Sequence, residues 1–107
     1  MTDSKIPGLL EKLLEMDQET WIEIDKHDRV YFRDSCMWWY AIQGVIQDAI
    51  AANDNFIGFE IIYTSYFDVK YEAEIFWDQT GEILRGFGET AAEALLEAYI
   101  AALEAMR

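Results

Sequence analysis

From Val69 to Trp77 the chain alternates. Val69, Tyr71, Ala73, Ile75 and Trp77 take one parity, and Lys70, Glu72, Glu74 and Phe76 take the other. A period of two means a strand with one face on a core and one toward water. Such a strand is not stable alone. It needs neighbours in a sheet and a layer to cover its apolar face.

The neighbours are legible. In Phe56 to Tyr63, Ile57, Phe59, Ile61 and Tyr63 alternate with Gly58, Glu60 and Ile62, which predicts a strand. A turn at Ser65–Asp68 leads into the alternating run. Asp78-Gln79-Thr80-Gly81 is a turn sequence with Gly at the left-handed end, so Glu82 to Phe87 is expected to return as a third strand.

The covering layer is expected from three helices. Ser4 is placed to cap the first, which runs to about Asp17 with Pro7 in its first turn and Ile6, Leu9, Leu10, Leu13 and Leu14 on one stripe. Asp34 or Ser35 caps a second, over about residues 36–52. Its stripe is Trp38, Ala41, Ile42, Val45, Ile46 and Ala49, with Gly44 read as a mark of close packing, and Asn53-Asp54-Asn55 stops it. Thr90 followed by Glu93 is a capping box opening a third, whose stripe is Leu95, Ala98, Tyr99, Ala102, Leu103 and Met106. Trp21, Glu23 and Asp25 alternate with Ile22 and Ile24. This predicts a hairpin of Thr20–Asp25 with Arg29–Phe32 around a polar Lys26-His27-Asp28 turn. The expected order is α-β-β-α-β-β-β-α: one α+β domain over residues 1–107, with a mainly antiparallel sheet and helices packed on it.

Charge narrows the function. The 107 residues hold 8 Lys and Arg against 21 Asp and Glu, a net charge of −13. The acid excess is spread along the whole chain, so it belongs to the folded surface. No two basic residues adjoin. Direct nucleic-acid binding and anionic membranes are both disfavoured. No apolar run approaches the roughly 20 residues that span a bilayer, and the first residues hold no secretory apolar stretch. The expected location is the cytoplasm. One Cys and one His exclude a disulfide framework and a Cys/His zinc cluster. No cofactor or metal is expected.

Residues 30–104 carry a resemblance. Phe76-Trp77-Asp78, then Gly81, then Gly86-Phe87-Gly88-Glu89-Thr90-Ala91-Ala92-Glu93-Ala94-Leu95 running into an Ala-rich helix is similar to the small phage proteins with an ABA-sandwich domain. Tyr31–Ile50 resembles the helix that precedes this hairpin in that family. The resemblance implies a phage or prophage origin. The order of elements also resembles small acidic secretion chaperones.

Catalytic chemistry finds little purchase. His27 lies between Asp25 and Asp28, but no motif marks a nucleophile for it, and it reads as a solvated turn residue. Cys36 near a helix start reads as a packed thiol. The three glycines at 81, 86 and 88 form neither a dinucleotide fingerprint nor a phosphate loop.

The acids offer more. Glu89, Glu93 and Glu97 recur at one-turn spacing, and Glu104 continues the same side. No cation sits four residues on. They are expected to form a carboxylate row that imitates the charge of a nucleic-acid strand. Glu60, Glu72 and Glu74 are expected on the outer face of the sheet. Trp39 and Tyr40 fall off the buried stripe, and Tyr66 and Phe67 lie in a turn; these aromatics suit an interface. The chain therefore reads as a non-enzymatic inhibitor of a basic nucleic-acid-binding host defence protein, of the anti-CRISPR or anti-restriction type, acting by mimicry. Its partner contacts would be Glu89, Glu93, Glu97, Glu104, Glu60, Glu72, Glu74, Trp39 and Tyr66. The alternative is a dimeric secretion or assembly chaperone that holds a client segment through aromatics and an open sheet edge.

Overall fold

The computed structural model describes residues 5–33, 35–63, 70–77 and 81–106. Ser4, Asp34, residues 64–69 and 78–80, on which the two turn expectations fall, and with them Tyr66, Phe67 and Val69, lie outside the described residues. The elements are α1 (Ile6–Met16), α2 (Gln18–Asp28), α3 (Cys36–Ala51), β1 (Phe56–Tyr63), β2 (Tyr71–Trp77), β3 (Ile83–Gly88) and α4 (Ala91–Ala105). The α+β class and the antiparallel sheet, ordered β1-β2-β3, agree with the sequence reading.

The hairpin expected of Thr20–Asp25 with Arg29–Phe32 is overturned: Gln18–Asp28 form α2, and residues 29–32 form no strand. The alternation at 21–25 is short, and Ile22 ends 41% exposed. The residues that bury are Thr20 and Ile24, one helical turn apart. Asp17 breaks α1 from α2 with a non-helical backbone (φ −149°, ψ 81°), and its carboxylate accepts the Thr20 N–H at 3.2 Å. Glu19 in the first turn and Lys26 and His27 in the last complement the helix dipole. His27 therefore sits on a helix, stacked on Tyr31 at 6.1 Å, and not in a turn.

Helix α1 starts after Lys5 with no side-chain cap, whereas α3 and α4 start as their sequences direct. The Ser35 hydroxyl accepts the Trp38 N–H at 3.2 Å and opens α3. The Thr90 hydroxyl accepts the Glu93 N–H at 3.1 Å and opens α4. Asn53 takes the Asn55 N–H at 3.0 Å in the turn after α3. Trp38, Ile42, Ile46 and Ile50 are the buried line of α3. Gly44 is no packing point, because a Cβ there would meet open space.

Helix α4 is the centre of the molecule. It lies on the inner face of β2 and β3 while α1 and α3 pack against its other sides. It is consequently buried almost all round, with Leu95, Leu96, Ala98 and Ala102 at 0% exposure. Its Ala side chains let the sheet come close. A Cβ on Gly86 would collide with backbone atoms of Ala94 and Ala98, and one on Gly88 would lie 2.8 Å from the Ala94 nitrogen. The thinnest extent of the molecule is 19 Å, which suits two layers. Among the described residues no helix packs on the outer face of the sheet.

Candidate functional site

Ala73 and Ile75 of β2 face α4, so Glu72, Glu74 and Phe76 face out. Register builds the outer face row by row. Glu60, Glu74 and Arg85 stand in one row, Ile62, Glu72 and Phe87 in the next, and Gly58, Phe76 and Ile83 in the third. The sheet thus brings together the three glutamates expected there and frames them with apolar side chains. Ile62, Ile83 and Phe87 are 37–40% exposed.

The charges on this face are unevenly balanced. Arg85 Nε lies 3.2 Å from Glu72 Oε1 and 3.3 Å from Glu74 Oε1, so one guanidinium serves two carboxylates. Glu60 stands directly opposite Glu74 on the far side of β2. Among the described residues it pairs with no cation. Like charges at a directly opposed pair cost stability, so Glu60 is a standing electrostatic debt on the β1 side.

Glu89, Glu93, Glu97 and Glu104 do not form the open helical row that their spacing implies, and Glu89 precedes the Thr90 cap and lies outside α4. Glu89 is exposed, but Glu93 is 7% exposed. Burial pushes the Glu93 carboxyl above its ordinary range, opposed by a hydrogen bond from the Glu89 backbone and by the Lys5 charge. Glu97 has a structural task. Its Oε2 accepts from Lys5 Nζ at 2.8 Å, and its Oε1 accepts the Phe87 N–H at 3.2 Å. Lys5 also donates to the Phe87 carbonyl at 3.1 Å. Glu104 lies 3.6 Å from Lys12. Lys5, just before α1, and Lys12, within it, are out of reach of any reading of α4 alone.

The aromatics divide. Trp39 is half-buried and edge-on to Trp38 at 4.8 Å, whereas Tyr40 is 68% exposed. Tyr66 lies outside the described residues. Cys36 is exposed at the start of α3 and lines a shallow groove of about 250 Å³ with Trp39, Tyr40, Tyr71 and Glu89. The acids flanking His27 are committed elsewhere. Asp25 pairs with Arg29 at 3.0 Å, and Asp28 accepts from Arg33 and from the indole of Trp38. A wider open groove of about 530 Å³ between α2 and α3 is lined by Glu19, Glu23, His27 and Asp48. Among the described residues no three His, Cys, Asp or Glu side chains are grouped to hold a metal ion, and no helix is long and apolar enough to cross a membrane.

Comparison with protein-family models, with curated proteins and with solved structures found no match to this chain. The functional reading rests on the geometry. Sequence reasoning missed Lys5 and Arg85, the two cations that decide which carboxylates are neutralised. Their partners lie on other elements, and no local spacing signals them.

Proposed function

We propose that this chain is a non-enzymatic binding protein that captures a basic, nucleic-acid-binding protein through the outer face of its sheet. The observation that carries the reading is the helix-free face on which Glu60, Glu72 and Glu74 stand among exposed Ile62, Ile83 and Phe87. Acids supply steering and specificity toward a cationic surface, and the apolar frame supplies area that excludes water. A net charge of −13 extends the steering beyond the contact itself. Inhibition of a host defence nuclease by imitation of its nucleic acid is the specific form of this reading. The sheet face replaces the α4 row as its surface because it sets an exposed Glu60, paired with no cation among the described residues, beside the apolar frame. Glu93 is buried and Glu97 holds Lys5, and Glu72 and Glu74, which share Arg85, support Glu60 rather than stand free.

The test is capture from host lysate on the immobilised protein with elution by a salt gradient. Expected is release of a nucleic-acid-binding protein between low and moderate salt, and loss of capture in the double variant Glu60→Lys, Glu72→Lys. Capture unchanged by that variant, or held through high salt, would sink the proposal.

A further inference from the structure

The two edges of the sheet are treated differently. On β3 the outward backbone groups of Phe87 are occupied: its N–H by Glu97 and its carbonyl by Lys5. These two side chains occupy one end of that edge; among the described residues the outward backbone groups of Ile83 and Arg85 carry no such bond, but the edge bears the Arg85 cation. On β1 the described residues supply no such cover. Among the described residues no side chain bonds to the backbone of residues 57–63, and Glu60 is the one charged residue on the strand. Natural edges are ordinarily blunted by Lys, Pro or a covering element.

The ladder says which groups are open. Because Phe87 bonds outward, Glu72 opposite it directs its own N–H and C=O toward Ile62 of β1. By alternation the backbone groups of Phe59, Ile61 and Tyr63 point away from the sheet. Glu60 then forms a non-hydrogen-bonded pair with any added strand, the geometry in which opposed side chains approach most closely.

We propose that β1 takes up an extended segment of a basic protein partner by antiparallel strand addition, with a Lys or Arg opposite Glu60 and an apolar residue beside Ile62. The added cation would do for Glu60 what Arg85 does for Glu74 on the other side. A second copy of this chain fits less well. Symmetric pairing along β1 sets the two Glu60 side chains opposite or one diagonal step apart, and it joins two bodies of charge −13. The inference rests on the acidic-face reading for its choice of a basic partner.

The experiment is an amide-shift titration of the full chain with the heptapeptide Thr-Val-Thr-Lys-Thr-Val-Thr. One control peptide has Glu in place of Lys. A second keeps the Lys sequence but is N-methylated along its whole backbone, which preserves charge and removes donors. Expected are saturable shifts along Phe59–Tyr63, weakening by about tenfold or more on N-methylation, and weakening of about fivefold in Glu60→Lys with a gain for the Glu peptide. Equal binding of the N-methylated peptide overturns strand addition and leaves the acidic-face reading standing. Absence of shifts on β1 overturns it as well. Self-association that protects the β1 amides would assign the edge to a second copy instead.

Discussion

Tyr99 of α4 donates its phenolic hydrogen to Asp17, the residue that caps α2, at 2.5 Å. The same carboxylate oxygen accepts the Thr20 hydroxyl at 2.6 Å. The central helix is thereby tied to the corner where α1 turns into α2. Burial works to raise the Asp17 carboxyl. The bonds from Thr20 and Tyr99 outweigh it and hold the carboxyl below its usual range. Burial first, and then the Asp17 charge, push the Tyr99 hydroxyl well above its own, so it stays a donor at any working pH.

Tyr99→Phe is expected to cost about 1.5–3 kcal/mol, the range for a hydrogen bond to a charged acceptor. Denaturant unfolding at pH 7 measures it. The sign of the pH effect follows from the direction of the Asp17 shift. A carboxyl depressed in the fold contributes stability that is complete above the unfolded value of about 3.9 and is lost as pH falls through the folded value. Tyr99→Phe should therefore show a shallower acid-induced loss than the parent below about pH 4. An unchanged profile would remove Asp17 from this role.

Glu93 acts with the opposite sign. Its carboxyl is raised in the fold, so the native state holds the proton more tightly. Its contribution is most favourable below the unfolded value of about 4.3 and declines as pH rises to the raised folded value. Glu93→Gln keeps an acceptor for the Glu89 backbone and removes the buried charge. It is expected to melt higher than the parent at pH 7 and to converge with it at acid pH. Thermal melts at several pH values decide this.

Gly86 and Gly44 make a matched pair of tests. Gly86→Ala drives a methyl group into the backbone of α4, and a loss of about 3 kcal/mol is expected from overpacking against atoms that cannot rotate away. Gly44→Ala places a methyl group in open space inside α3, and a gain of about 0.5–1 kcal/mol is expected from helix propensity. Urea unfolding of both variants compares them directly.

Asp28 holds the loop between α2 and α3. It accepts from the indole of Trp38, which is 0% exposed, and pairs with Arg33, whose guanidinium stands 5.8 Å from the Trp38 ring centroid. Asp28→Ala strands a buried N–H and is expected to cost about 2–3 kcal/mol. Asp28→Asn retains an acceptor and should recover about half of that. A loss of equal size in both variants would place the effect in the Arg33 pair alone.

Local pattern by itself determined much of this protein. Alternation at 71–77 placed β2 and put Glu72 and Glu74 on one face. Thr90 with Glu93 placed the start of α4, and Asp34 or Ser35 before the Trp38 stripe placed that of α3, where the structure selects Ser35. These signals live within a few residues, where periodicity and capping act. The segment at 18–28 escaped because the five-residue alternation Trp21–Asp25 mimics a strand, and the Asp17 cap on Thr20 is seen only in the fold. Its helix is settled by what Thr20 and Ile24 bury against. The acid row on α4 failed for a related reason. Spacing puts Glu89, Glu93 and Glu97 on one side of a helix, but it says nothing about which neighbour covers that side. Only the tertiary structure brought Lys5 across to Glu97 and set Arg85 between Glu72 and Glu74. It also set Glu97 and Lys5 on the outward backbone groups of Phe87 at one sheet edge, with no such bond on the other among the described residues. Charges and edges are neutralised by residues distant in the chain, and that distance is what a reading along the chain does not measure.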